Sequence, residues 1–406
     1  MRRFKNGILT FCALLLGATC AFFNIPGSAG LADFLSENFI RILKLLSLPL
    51  IFLSISSTLL NLENLHELKR LFKKIFFYTL LTTLIAATVG LILFVLIHPQ
   101  APSVKNIDAP PSSIAFTFSY LKTIIPENPI QPFLENNVLG VVFIALILSV
   151  AIKTAPKQGC QTVAKVVKEL FEALLRIASY VIRLLPLAIF GFTYQFIVSM
   201  KTQQSEMRSL LLYSFCVIAA NLIQGLIILP AILKSKGLRP LPLFRAMLPA
   251  LSTAFFTKSS SAALPISLKS AEKAGISSKT AGFSFPMCSV INMNGCAAFI
   301  LITTLFAMGQ SGIELTLAQM IPWIFLASLA AIGNAGVPMG CFFLTSAFLS
   351  GMGVPLKVMG LILPLYSLFD MVETALNVWS DSCVTALADT KLEKAPSLPD
   401  TPIIVD

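Results

Sequence analysis

LYSLFDMVETALNVWSDSCVTALAD, from Leu365 to Asp389, is apolar enough to sit in a bilayer, yet it carries Asp370, Glu373, Thr374, Asn377 and Asp381. On a helix turning ~100° per residue, those five positions fall within roughly a 100° arc and run for about 16 Å. A carboxylate at membrane depth costs several kcal/mol unless it has a partner. One such acid reads as part of a satisfied seam between helices. Three acids with Asn and Thr on one face call for cations, hydrogen-bond donors or water, and point to a binding site.

Composition agrees with a membrane setting. The 406 residues are 56% hydrophobic and 12% charged, against the ~25% charged of a soluble domain, so the chain reads as an integral membrane protein. The net charge of +11 is not a nucleic-acid signature, because the basic residues sit in short segments between apolar runs. The eight cysteines show no CxxC pairing and lie mostly in apolar runs, so they read as small core residues, neither a disulfide frame nor a metal site. His66 and His98 are too few for a zinc or triad centre. The first apolar run, after MRRFK, reads as a membrane span serving as its own address, with a cleaved signal peptide as the lesser alternative.

Hydropathy predicts spans at Ile8–Phe23, Phe39–Leu60, Ile75–Ile97, Asn137–Thr154, Phe171–Val198 and Leu210–Leu233, with a Pro-rich loop after the third. Two irregular units follow. Pro240–Ala274 carries FTKSSSAALP at its middle and precedes the apolar span Thr280–Met308. Ala318–Gly351 carries GNAGVPMG and precedes the quoted stretch. Basic clusters at Arg2, Arg3 and Lys5, at Lys69, Arg70, Lys73 and Lys74, at Lys234, Lys236, Arg239 and Arg245, and at Lys269, Lys273 and Lys279 mark the cytoplasmic side. With that orientation, the Ser-rich unit enters and leaves from the inside, and the GNAGVPMG unit from the outside. Each is then a re-entrant hairpin, which must be buried in protein or line a cavity. Hairpin–helix repeated in the opposite sense signs an inverted repeat, with a site near the midplane. The tail from Lys391 to Asp406 is polar and Pro-containing, and reads as disordered.

Three further constellations carry chemistry. Ser259, Ser260 and Ser261 at a hairpin tip offer hydroxyls beside a half-helix end that can receive a carboxylate, or simply pack small against a neighbour. A nucleophilic serine lacks an accompanying histidine or SxxK lysine, so an enzyme is not indicated. In Asn292-Met293-Asn294-Gly295-Cys296, glycine after asparagine weakens the helix and frees carbonyls, which are hard-cation ligands; a packing kink is the plainer alternative. Gly333–Gly340 forms a tight tip with open amides and carbonyls.

SSSAALP, NMNG, GNAGVP and DMVETALNV, in that order, resemble the four signature regions of the dicarboxylate/amino-acid:cation symporters. The resemblance covers about Ser252–Asp389 well and the earlier spans by pattern. It implies an all-α polytopic fold of eight transmembrane helices plus two re-entrant hairpins with inverted repeats. Residues 1–70 and 99–200 would form a trimerising scaffold from helices one, two, four and five. Residues 71–98 and 201–390 would form a transport domain, sliding as an elevator, with 391–406 a cytoplasmic tail. It further implies a multi-pass protein of the cell membrane with both termini cytoplasmic, a homotrimer, no cofactor beyond Na⁺ and/or H⁺ as coupling ions, and no nucleic-acid partner.

By the same resemblance, Asp370 looks like the ligand for a substrate α-amino group. Ser260 with Ser259 and Ser261, together with Asn377, looks like the α-carboxylate site. Thr374, Cys296 and the Val337 backbone line that pocket. Asp381 with Asn292 and Asn377 looks like part of a sodium site, Met293 like the coupling methionine, and the GNAGVP backbone like a gate and second sodium site. The departures are informative. Glu373 stands where acidic-substrate members carry an Arg, and Cys296 where they carry a Thr. Like charges repel by about 4 kcal/mol at 4 Å with an effective dielectric of 20. A neutral amino acid, or a basic one pairing with Glu373, therefore fits better than glutamate, aspartate or a C4-dicarboxylate. The alternative is a Glu373 that is protonated or neutralised by Lys258, which also leaves a neutral substrate. Tyr366 and Asn294 replace family aspartates and Thr79 a tyrosine at cation sites, while Thr82 and Thr83 keep hydroxyls there. Fewer carboxylates imply fewer coupled sodium ions, or partial replacement by protons. A passive pore and a non-transporting sensor of the same fold stay open as alternatives.

Overall fold

The computed structural model describes residues 2–60, 65–99, 125–135, 137–154, 157–202, 204–313, 315–334 and 339–389. Every regular element among them is helical, and besides a single turn at Gln131–Leu134 there are fifteen α-helices and one π turn. In order they are α1 (Arg2–Phe22), α2 (Ser28–Leu60), α3 (Leu65–Ile97), α4 (Val138–Thr154), α5 (Lys157–Arg183), α6 (Leu185–Thr202) and α7 (Gln204–Ile223). A π-helical turn, Gln224–Ile228, leads into α8 (Leu229–Ser235). Then come α9 (Pro240–Thr257), α10 (Ser260–Lys273), α11 (Ser278–Ile291), α12 (Asn294–Gln310), α13 (Leu317–Gly333), α14 (Gly340–Gly351) and α15 (Lys357–Ala388). Arg70–Ile97, Met207–Ser235, Ser278–Gln310 and Lys357–Ala388 are long and apolar enough to cross a membrane. Large apolar side chains such as Phe215, Leu226 and Leu96 face outward, as lipid contact requires. This is a multi-pass membrane protein.

The helices gather in two groups. In the first, α1 packs on α6, and α2 packs on α4, α5 and α6. A Cβ added at Gly191 would lie 2.6 Å from the Ala32 carbonyl oxygen, so only glycine lets α6 approach α2 this closely. Beside that contact, Gln195 of α6 donates to Asp33 and to Ser36 of α2, at 2.8 and 2.9 Å. In the second group, α12 is buried from Asn294 to Gly309 and contacts α3, α7, α13, α14 and α15. The groups meet where α14 lies on α2 and where Gly360 of α15 lies against the Phe192 ring of α6.

Each of the two irregular units contains a pair of short helices. The arms α9 and α10 have 18 and 14 residues and pack on each other around a two-residue connection, Lys258–Ser259. The arms α13 and α14 have 17 and 12 residues and meet at the Trp323 and Phe348 rings. At ~1.5 Å per residue each arm falls short of the ~30 Å hydrocarbon core. The expected Val337 lies outside the described residues.

Two expectations need correction. The predicted fifth span, Phe171–Val198, is two helices: the chain turns at Leu184, and Pro186, lacking an N–H, starts α6 rather than continuing α5. The helices α2 and α3 run into polar sequence well before the predicted span starts, because helix propensity does not stop where hydropathy falls. The π turn was not foreseen. It is fixed from outside: the Trp379 indole N–H donates to the Gly225 carbonyl at 2.9 Å, and Trp379 packs edge-on against Phe244 of α9.

Removing that indole N–H orphans a buried carbonyl, at a cost of about 1–3 kcal/mol. Trp379→Phe is expected to lower the thermal unfolding midpoint of the purified protein by several degrees. An unchanged midpoint would show that the π turn holds itself.

Candidate functional site

The site forms where α15 meets an interrupted helix. The last helical hydrogen bond of α11 runs from Asn292 N–H to the Cys288 carbonyl, and Asn292 and Met293 then leave helical geometry (ψ 74° and 64°) before α12 begins at Asn294. The interruption thus falls before Gly295, not at it. The final carbonyls of α11 are left without helical partners. Gly295 serves a different need. A Cβ there would sit 2.7 Å from Asn221 Oδ1 and 2.9 Å from the Glu373 Cα, so glycine lets α12 close directly onto the backbone of α15.

Around the interruption lies a fully buried polar cluster. Asn292 Nδ2 donates to Ser380 Oγ and to Asp381 Oδ1, each at 2.9 Å. Asn294 Nδ2 donates to the same Ser380 Oγ at 2.6 Å, while its Oδ1 accepts from Thr83 at 2.9 Å and Thr82 at 3.3 Å. Thr82 also donates to Asn292 Oδ1 at 3.4 Å, and its own carbonyl accepts from Gln224 of the π turn at 3.0 Å. Thr79 is buried one turn earlier on α3. Oxygens of this cluster come from α3, α12, α15 and the interruption, the donor set of a hard cation.

On the other side of Asn377 is a cavity of about 40 Å³. Its walls include Ser259 and Ser260 from the first hairpin, Met293 and Cys296 from the interrupted helix, and Asp370, Glu373, Thr374 and Asn377 from α15. Asn377 divides the two regions and both ends of its carboxamide are engaged: Oδ1 accepts from Gly295 N–H at 2.9 Å and Nδ2 donates to Cys296 Sγ at 3.5 Å. Ser259 caps α10 by accepting from Ala262 N–H at 3.3 Å. Thr374 donates to its own helix, at the Asp370 carbonyl, 2.6 Å away. Ser261 is exposed on the first turn of α10 and does not line the cavity. Met293 lines it, and its carbonyl accepts from Ala297 N–H. Tyr366 lines the same cavity, wedged between the Phe299 and Phe342 rings.

Glu373 is the unsatisfied carboxylate of the cavity, whose wall also carries the unpartnered Tyr366 hydroxyl and Asn334 Oδ1. It is 1% exposed, and neither carboxylate oxygen has a hydrogen-bond partner among the described residues. Lys258 does not neutralise it by contact. That lysine takes the left-handed conformation at the end of α9 (φ 52°), costing about 1 kcal/mol for a residue with a Cβ, and its Nζ donates to Ser367 at 3.1 Å. An ion pair, Arg41–Glu37, lies on an exposed part of α2.

Sequence reasoning missed several members. Ser380 lies about 80° around α15 from Asp370, beside Glu373 on the helical wheel, so the same angular pattern could have found it. Gln224 and Asn221 sit in an apolar run whose polar positions carried no motif. The cysteine reading also needs correction: Cys296 and Cys341, 45 residues apart, form a disulfide with Cα atoms 5.5 Å apart, and Asn334 donates to both sulfurs, at 3.3 and 3.6 Å. Spacing alone gave no sign of it, because the pair closes only when the second hairpin folds onto α12.

The chain matches the sodium:dicarboxylate symporter family over residues 7–391. It is 29% identical to the serine/threonine transporter SstT of Acinetobacter baylyi, over 91% of this chain and 93% of that protein. It is 26% identical to the L-cystine uptake protein TcyP of Shouchella clausii, over 93% and 86% of the two chains. To the putative sodium-dependent excitatory amino acid transporter glt-6 of Caenorhabditis elegans it is also 26% identical, over 95% and 80%. An interrupted helix packed on a polar-faced one, flanked by two pairs of short helices, and a match across nearly the whole chain lead to one conclusion: this protein belongs to the sodium:dicarboxylate symporter family.

Proposed function

We propose that this protein is a sodium-coupled symporter that takes up a small neutral amino acid. Family membership makes it a transporter and not an enzyme, with sodium as a coupling ion. The substrate assignment rests on Glu373, a buried carboxylate on the cavity wall with no hydrogen-bond partner among the described residues. It repels a second carboxylate and accepts a hydroxyl or an ammonium in its place. The relative named a serine/threonine transporter supports the hydroxyl reading, since a hydroxyl donor satisfies a carboxylate without a net charge. A basic side chain pairing with Glu373 is the second reading.

In this assignment Asp370 binds the α-amino group and the α10 end, with Ser259 and Ser260, receives the α-carboxylate. Asn377 positions the wall between substrate and cation instead of reaching the substrate freely, since both its ends are held by α12. The cation occupies the Asp381, Asn292, Asn294, Thr82 and Thr83 region, with Ser380 orienting both asparagines. The two helix groups support a scaffold of α1, α2 and α4–α6 and a mobile unit of α3 and α7–α15, with eight membrane helices and two re-entrant hairpins. On this reading the unit slides as an elevator within a homotrimer.

Reconstituted protein under an inward sodium gradient is expected to accumulate serine- or threonine-sized amino acids in a panel of labelled substrates and to take up aspartate poorly. Robust aspartate uptake would overturn the role of Glu373. Glu373→Arg should improve acidic-substrate binding by at least about tenfold, a fraction of the ~4 kcal/mol repulsion it removes. No change in selectivity would place the side chain elsewhere. With one carboxylate in the cation region, uptake should rise with less than the third power of sodium concentration. Asp381→Asn should weaken the sodium dependence by at least tenfold, because ligand charge sets hard-cation affinity.

A further inference from the structure

Cys296 and Cys341 meet at the cavity wall, one from the first turn of α12 and the other from the first turn of α14. A Glu373 carboxylate oxygen lies with the two sulfurs, all within 4.8 Å of one another, and all three residues are buried. The carboxylate has no hydrogen-bond partner among the described residues. Amide N–H groups of Asn334 and Asn377 point at the sulfurs. Two sulfurs, one carboxylate and outer amide donors are the ligand set of a soft or borderline dication, and such donors around the ligands tune its affinity. Nothing in sodium-coupled transport requires it.

We propose that, in the reduced state, Cys296, Cys341 and Glu373 form a binding site for a thiophilic divalent cation of the zinc or cadmium class, which ties the second hairpin to α12 and blocks the cavity. A dithiol or the reducing thiol pool of the cytosol supplies two electrons and two protons, cleaving the disulfide to two thiols while the reductant becomes a disulfide. The incoming dication displaces the two thiol protons and forms two metal–sulfur bonds. Two thiolates about 2.3 Å from one tetrahedral ion sit about 3.8 Å apart, which rotation of the side chains allows at this Cα separation. Ion binding is independent of the proposed transport function; only the blocking of uptake rests on it.

The test uses the full chain in detergent, reduced with dithiothreitol, freed of reductant and titrated with cadmium. A saturable ultraviolet thiolate-to-cadmium charge-transfer band is expected, absent before reduction and lost in Cys296→Ser and Cys341→Ser. Glu373→Gln should keep the band and weaken affinity by at least about tenfold. No band in the reduced wild type, or the same band in the double serine variant, overturns the site. If the variants fail to fold, the wild type decides: equal binding before and after reduction overturns it. In reduced proteoliposomes cadmium should abolish amino-acid uptake and a chelator should restore it. Binding without inhibition overturns the block alone, and liposomes that never take up an amino acid count against the transport assignment while leaving the titration to judge the site.

Discussion

The hydrogen bonds from Asn292 to Ser380 and Asp381 hold the arrangement together. A carboxylate 2% exposed in an apolar bundle is tolerable only if donors reach it, and a continuous helix from Ser278 to Gln310 would have its backbone N–H groups committed internally. Interrupting that helix at Asn292–Met293 turns an asparagine toward α15 and frees carbonyls at the same depth. The defect in one helix and the acids on the other are therefore one feature. Each would be destabilising without its counterpart.

Much of this was legible from α15 alone. Its five polar residues share one face whatever surrounds them, because the helical period fixes their angles. The structure places Asp370, Glu373, Thr374 and Asn377 on one cavity and Asp381 in the adjoining polar cluster. The short paired helices around the Ser-rich stretch were also legible, since a polar tip between half-length apolar runs has few other physical realisations in a membrane. Hydropathy hid the break at Pro186, where LLPLAIFGF stays apolar through the turn. Proline was the better guide there.

What the sequence concealed is contact between distant segments. The engaged state of Asn377, the reach of Lys258 to Ser367 and the pairing of Cys296 with Cys341 depend on how the hairpins sit on α12 and α15. No local pattern encodes these. Glu373 is the intermediate case: its position was plain, while its lack of a partner could be seen only once its neighbours were in place.

The π turn that follows α7 has a consequence for how this chain tolerates length changes. It holds one residue more than an α-helical turn would, so a single deletion within Gln224–Ile228 would leave a regular helix. The wider turn absorbs the extra residue, so the segments on either side would keep their facing, with Phe215 outward and Tyr213 inward. What would go is the widened backbone that offers the Gly225 carbonyl to the Trp379 indole. A local gain in helix regularity would then cost a contact between helices.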